Sequence, residues 1–198
     1  MALTRSTCCA IFAGDASGGA LFTDACEGGD MSRALILAAD GFEDSELLVP
    51  YYRLKEADCT VDIAGPESGA VLTGKHGYTV KTDLAFDDIK PGDYDALVIP
   101  GGRAPETVRL SAAALRAVRE IMKEEKPVAS ICHGAQVLIS AGVIADRSAT
   151  CWQGIRDDVK AAGAHYSDEE VVVDRNLITS RSPEDLPAFC RELLKQIH

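Results

Sequence analysis

The chain has 198 residues, 46% of them hydrophobic and 26% charged, with a formal net charge of −11. That length supports one buried core, and the acidity argues against nucleic acid, whose phosphates require a basic face. No apolar run approaches the roughly 20 residues of a membrane helix. The seven cysteines show neither CxxC nor CxxC…HxxxH spacing, so a reducing, cytoplasmic setting is expected rather than a disulfide framework or a structural zinc.

Residues 1–30 are rich in Ala, Gly, Cys, Ser and Thr and lack any sustained apolar period. A lone Arg5 and a brief apolar stretch from Cys8 to Ala13 do not make a signal peptide, so this segment is expected to be a poorly ordered extension ahead of a domain spanning 31–198. Ala34–Ala39 is a continuous apolar run of the kind buried on both faces of a sheet. Glu43–Ala57 follows with helical spacing, and Pro50 predicts a kink or a restart within it. Thr60–Ala64 reads as a strand, and 70–83 as a small β-hairpin excursion.

Ala96–Pro100 is a further buried strand, ending in Gly101-Gly102. Ser111–Lys123 is an amphipathic helix with Leu115, Val118 and Met122 on one side. Pro127–Ile131 is the strand that delivers Cys132, and His133–Ala141 is the next helix. Asp157–Ala162 reads as helix, with Glu170–Val173 and Leu177–Thr179 as strands. In the last helix Ser182 is the expected cap and Pro183 opens the first turn, with Leu186, Phe189, Leu193, Leu194 and Ile197 on one face. Strands alternating with helices define an α/β fold with a mostly parallel central sheet covered on both faces.

Active surfaces of such sheets lie at the carboxyl ends of the strands, which singles out the turn after Ala39, Gly101-Gly102 and Cys132-His133. A thiol at a helix start faces unpaired N–H groups and the positive end of the dipole, which favour thiolate. Gly134 permits a tight turn there. His133 is a candidate acid or base, and Glu43, in the turn after the first strand, is a candidate carboxyl beside the sulfur. Backbone N–H groups at Gly101-Gly102 and His133 are candidate oxyanion donors. Gly69–His76 imitates a Walker loop but sits in a hairpin and lacks the final Ser/Thr. No cofactor motif is present, and the scattered histidines do not form a metal site.

Five stretches carry a resemblance: Phe42-Glu-Asp-Ser-Glu46, Gly74-Lys-His-Gly77, Asp95–Glu106, Ala129-Ser-Ile-Cys-His-Gly-Ala-Gln136 and Thr179–Pro187. Over 33–198 the sequence resembles the PfpI family of intracellular cysteine hydrolases, within the class I glutamine-amidotransferase-like superfamily. The resemblance implies a flavodoxin-like three-layer sandwich with Cys132 as nucleophile on a strained elbow, His133 beside it, and Glu43 as the carboxyl that touches it. It implies that Glu106 reaches the histidine of an adjacent subunit, hence a homodimer or a hexamer of dimers. Trp152 stands where relatives often carry Tyr beside the active site, a departure that bears on substrate preference. The activity implied is cofactor-independent turnover of small reactive carbonyls or glycated proteins, methylglyoxal to lactate among them. Intracellular peptide hydrolysis and a redox-sensing stress chaperone are the alternatives.

Overall fold

The computed structural model describes residues 32–197; the expectation for residues 1–30 lies outside that range. In chain order the elements are β1 (Arg33–Leu37), α1 (Asp44–Glu56), β2 (Thr60–Gly65), β3 (Val71–Thr73), β4 (Thr79–Lys81), β5 (Leu84–Ala85) and β6 (Ala96–Ile99). Then come α2 (Ala104–Val108), α3 (Ala112–Lys123), β7 (Val128–Ile131), α4 (Ala135–Ala141), β8 (Ser148–Ala149), α5 (Arg156–Ala161) and β9 (His165–Tyr166). The chain ends with β10 (Val171–Asp174), β11 (Leu177–Ser180) and α6 (Leu186–Ile197).

Seven strands form the central sheet in the order β10-β11-β7-β6-β1-β2-β5. Every pairing is parallel except β10 with β11. Every residue of β6, β7 and β11 is buried, as continuous apolar strands covered on both faces require. Helices α1 and α6 pack together on one face, while α2, α3 and α4 pack on the other. This is the three-layer α/β sandwich expected, with β3–β4 as the predicted antiparallel hairpin.

Local differences have local causes. Helix α1 runs through Pro50 as one helix, because a missing N–H costs a single ladder bond, here to the Glu46 carbonyl, and Pro50 is itself buried in the packing. The core stripe of α3 is Ala113, Ala114, Ala117, Val118, Ile121 and Met122, with Leu115 only partly buried at its border. Ser111 caps α3, its side chain accepting from the Ala114 N–H at 3.2 Å. The expected cap at Ser182 is not made: no side-chain bond forms there, and residues 183–185 make a short 3₁₀ turn before α6 begins.

Candidate active site

Three neighbouring strands end at one cleft: β1 leads to Gly41-Phe42-Glu43, β6 to Gly101-Gly102, and β7 to Cys132. The first two turns are stitched by backbone bonds from Glu43 N to Gly101 O (3.2 Å) and from Arg103 N to Gly41 O (2.7 Å). That closeness explains Gly102, which has φ 75°; a Cβ there would collide with the Glu43 nitrogen and the Gly41 carbonyl. Gly134 is equally constrained, since a Cβ would strike the Ile99 carbonyl.

Cys132 adopts φ 60°, a left-handed conformation that costs a non-glycine residue about 1–3 kcal/mol and persists only where surroundings enforce it. The elbow is a three-residue 3₁₀ turn, Cys132–Gly134, leading into α4. Cys132 is 8% exposed, so the sulfur sits at the base of the cleft rather than at its mouth. Its Sγ lies 3.3 Å from His133 Nδ1, and the N–H groups of His133 and Gly102 are directed at it.

The carboxyl that touches the sulfur is Glu46, not Glu43. Glu46 is fully buried on the inner face of α1; its Oε2 accepts from the Gly101 N–H at 2.8 Å, and the carboxyl hydrogen-bonds Cys132. Its other oxygen, Oε1, is buried without a hydrogen-bond partner. Glu43 precedes the helix with extended backbone, and its carboxylate turns to the hairpin, 3.2 Å from Lys75 Nζ and 3.1 Å from His76 Nε2. A difference of three residues, nearly one helical turn, separates the carboxyl inside the packing from the one at the rim.

Asp44 then fixes the hairpin tip: its oxygens accept from the N–H groups of His76 and Tyr78, each at 2.9 Å. Burial works to raise the Asp44 pKa, but those N–H donors outweigh it and hold the carboxylate below its ordinary value.

Electrostatics at the sulfur differ from the expected activation by a helix start. Burial, followed by hydrogen bonding to Gly101 and Cys132 that opposes it, leaves the Glu46 pKa raised to about 7. The Cys132 thiol is also pushed up, by burial first and the adjacent Glu46 charge second, against the opposing His133 and Gly102 N–H groups. The His133 N–H of this turn and the Gly102 N–H after β6 cannot together offset desolvation plus a neighbouring negative charge. His133 is held below its ordinary pKa, chiefly by burial, with Glu106 acting upward and Lys75 downward. Glu106 lies on α2, exposed. His133 stacks on the Trp152 indole with ring centroids 4.6 Å apart.

The cleft encloses about 570 Å³ and gathers Cys132, His133, Glu43, Glu106, Gly102 and Trp152. Gly101 and Gly134 lie behind it as spacers, packed on Glu46 and on Ile99 and Ser130. The sequence reading missed Glu46, Lys75, His76 and Arg103 as lining residues. One signal was present: Glu46 shares a helical face with Pro50 and Leu54 at i, i+4, i+8, a face that α1 buries.

A buried cysteine on a strained strand-to-helix elbow, beside a buried acid and two N–H donors, defines a doubly wound α/β protein with a candidate nucleophile at the carboxyl ends of its strands. The chain belongs to the DJ-1/PfpI family, whose model matches residues 32–196. It is 55% identical over 163 residues to "Deglycase PfpI" of Pyrococcus furiosus, covering 82% of this chain and 98% of that protein. It is 43% identical over 162 residues to "Protein/nucleic acid deglycase 2" of Escherichia coli, covering 81% and 94% respectively. Among solved structures, a two-domain protein of Anabaena variabilis with DJ-1/ThiJ/PfpI-like and ferritin-like domains superposes with a TM-score of 0.83 at 38% identity. That match covers 84% of this chain, which spans 48% of the two-domain protein. Among the described residues no helix is long and apolar enough to cross a membrane.

Proposed function

We propose that this protein is a cytoplasmic, cysteine-dependent deglycase-type hydrolase acting on reactive carbonyls and their protein adducts. The observation that carries the reading is the contact of Glu46 with Cys132, in a carboxyl whose Oε1 is buried without a hydrogen-bond partner. The deglycase names of relatives up to 55% identical over most of the chain support the substrate class.

The pair holds a single proton in its reactive form. With that proton on Glu46, the sulfur is the charged partner, hydrogen-bonded by the carboxyl and by the His133 and Gly102 N–H groups. Sγ then adds to an aldehyde carbon, and the carbonyl oxygen takes up the proton as a hemithioacetal. For methylglyoxal, His133 or Glu46 removes the proton from the sulfur-bearing carbon and a proton returns to the adjacent one, leaving a 2-hydroxyacyl thioester. Water adds to the thioester carbon, the C–S bond breaks and lactate leaves; methylglyoxal plus one water balances to lactic acid with no oxidant or reductant. An adduct on a protein amine enters the same path once the amine departs with a proton. Incubating methylglyoxal with wild type and Cys132→Ser and assaying lactate tests the proposal; equal turnover in both overturns it.

Peptide hydrolysis is the second reading, favoured by the His133 and Gly102 N–H groups at the sulfur, which an oxyanion on a Cys132-bound carbon would share. Labelled peptides left uncut while dicarbonyl is consumed would count against it. Assembly into a homodimer or hexamer that carries Glu106 to a neighbour's His133 belongs with either reading, and sedimentation of wild type against Glu106→Arg tests it.

A further inference from the structure

Trp152 is the single tryptophan of the chain and touches the nucleophile's surroundings twice. Its backbone N–H donates to the Cys132 carbonyl at 3.4 Å, holding the strained elbow from outside. Its indole lies against the His133 imidazole at 4.6 Å between centroids, with the planes inclined by 29°. The benzo edge of the indole is seated on Gly154, where any Cβ would overlap its ring carbons. Trp152 is 39% exposed, and its indole touches both a glycine and the imidazole. The imidazole in turn meets the indole with its face and the Cys132 sulfur with its Nδ1, at 3.3 Å.

We propose that Trp152 is a positioning residue acting through His133: it fixes the imidazole plane so that Nδ1 meets the sulfur, and it reports the protonation state of that imidazole. Two forces support this. Offset aromatic stacking restricts the ring to one orientation. An indole face also attracts an imidazolium more than a neutral imidazole, so the stack works against the burial that disfavours the charged ring. The opposing groups are identified: burial and Lys75 of the hairpin disfavour the imidazolium, while Glu106 of α2 favours it. Gly154 belongs to the device because only a residue without a side chain leaves the indole its seat. The inference deepens the proposed activity by assigning a role in setting up the nucleophile, but its test does not depend on carbonyl turnover.

Imidazolium in contact with an excited indole quenches its emission, so the emission of Trp152 should titrate. Between pH 8 and pH 4 wild type should dim with a midpoint below 6.5, the ordinary value from which His133 is lowered. His133→Gln should abolish the titration, and His76→Gln, across the cleft, should keep it. The second readout is the rate of Cys132 alkylation by iodoacetamide against pH. Trp152→Phe, which keeps a ring, should stay within about twofold of wild type, whereas Trp152→Leu should be slowed about three- to tenfold. Gly154→Ala touches neither the sulfur nor the imidazole, and its new methyl is most easily accommodated by moving the indole. It should weaken the titration and slow alkylation as Trp152→Leu does. Flat emission in wild type, a titration that survives His133→Gln, or equal alkylation by the Phe and Leu variants would each overturn the proposal. Absence of lactate formation with these signals intact would instead count against the deglycase reading alone.

Discussion

The two ends of the central sheet are built on opposite terms. At the amino end most polar groups are paired off, Arg147 Nε excepted: Asn176 donates to the carbonyls of Met122 and Lys126 at 3.2 and 2.9 Å, and its side-chain oxygen accepts from Arg147 at 3.2 Å. The Arg147 guanidinium also bonds the Asp174 carbonyl, while the Asp174 carboxylate accepts from the Ser148 N–H at 2.7 Å. At the carboxyl end a fully buried carboxyl keeps one oxygen without a hydrogen-bond partner, a cysteine is held at φ 60°, and two N–H groups face a sulfur. One end uses its hydrogen-bonding capacity to fix the fold. The other holds donors and strain in reserve where reacting atoms would sit, which is where such strain tends to collect.

The contrast predicts that substitutions at the carboxyl end damage chemistry and those at the amino end damage stability. The largest effect expected is from Cys132→Ser, which should lower lactate formation from methylglyoxal by at least about 10³-fold while leaving the unfolding midpoint nearly unchanged. A variant that unfolds earlier yet keeps turnover would erase the distinction. Gly102→Ala places a Cβ against backbone at positive φ and should destabilise by about 3 kcal/mol in urea unfolding, with loss of turnover in what remains folded.

Glu46→Gln sharpens the comparison through pH. Its carboxyl binds a proton up to about pH 7 in the folded protein, against a reference value of 4.5. The folded state therefore holds more protons than the unfolded state between those values, and stability from this group is complete below about 4.5 and lost as pH rises through 7. The loss should be about 3 kcal/mol, and unfolding curves for Glu46→Gln at pH 5 and pH 8 should lack this increment. Smallest is Asn176→Ala, which leaves carbonyls of Met122 and Lys126 without their donor; it should cost about 2 kcal/mol with turnover of the folded fraction unaltered. A selective loss of activity there would show the two ends to be coupled.

Much of the scaffold was legible because its signals are local. Val128–Ile131 and Ala96–Ile99 read as buried strands from apolar continuity, and α3 showed its start in Ser111. The short pieces β5, β8 and β9 and helix α2 carried no period long enough to be seen, and they form because neighbouring segments supply their partners. Cys132, His133 and the glycines at 101, 102 and 134 were found from their place after buried strands. Glu46 was missed because, beyond the face it shares with Pro50 and Leu54, nothing local marks which of the neighbouring acids points inward, and only the packing of α1 carries this one under Gly101. The protonation pattern was missed for the same reason: a helix start suggests a lowered thiol pKa, and only burial next to a second acid reverses its direction.

The order of amino acids by itself determined the alternation of strands and helices, the cysteine at the end of β7, and the glycines that let three turns approach one another, because each depends on short-range sterics and hydrophobic period. Which acid meets the sulfur, which face of His133 the indole covers, and how far burial raises the Cys132 and Glu46 pKa values were decided by the tertiary structure. Those quantities depend on distance and on exclusion of water, and both are set only when segments far apart in the chain close over the same few atoms.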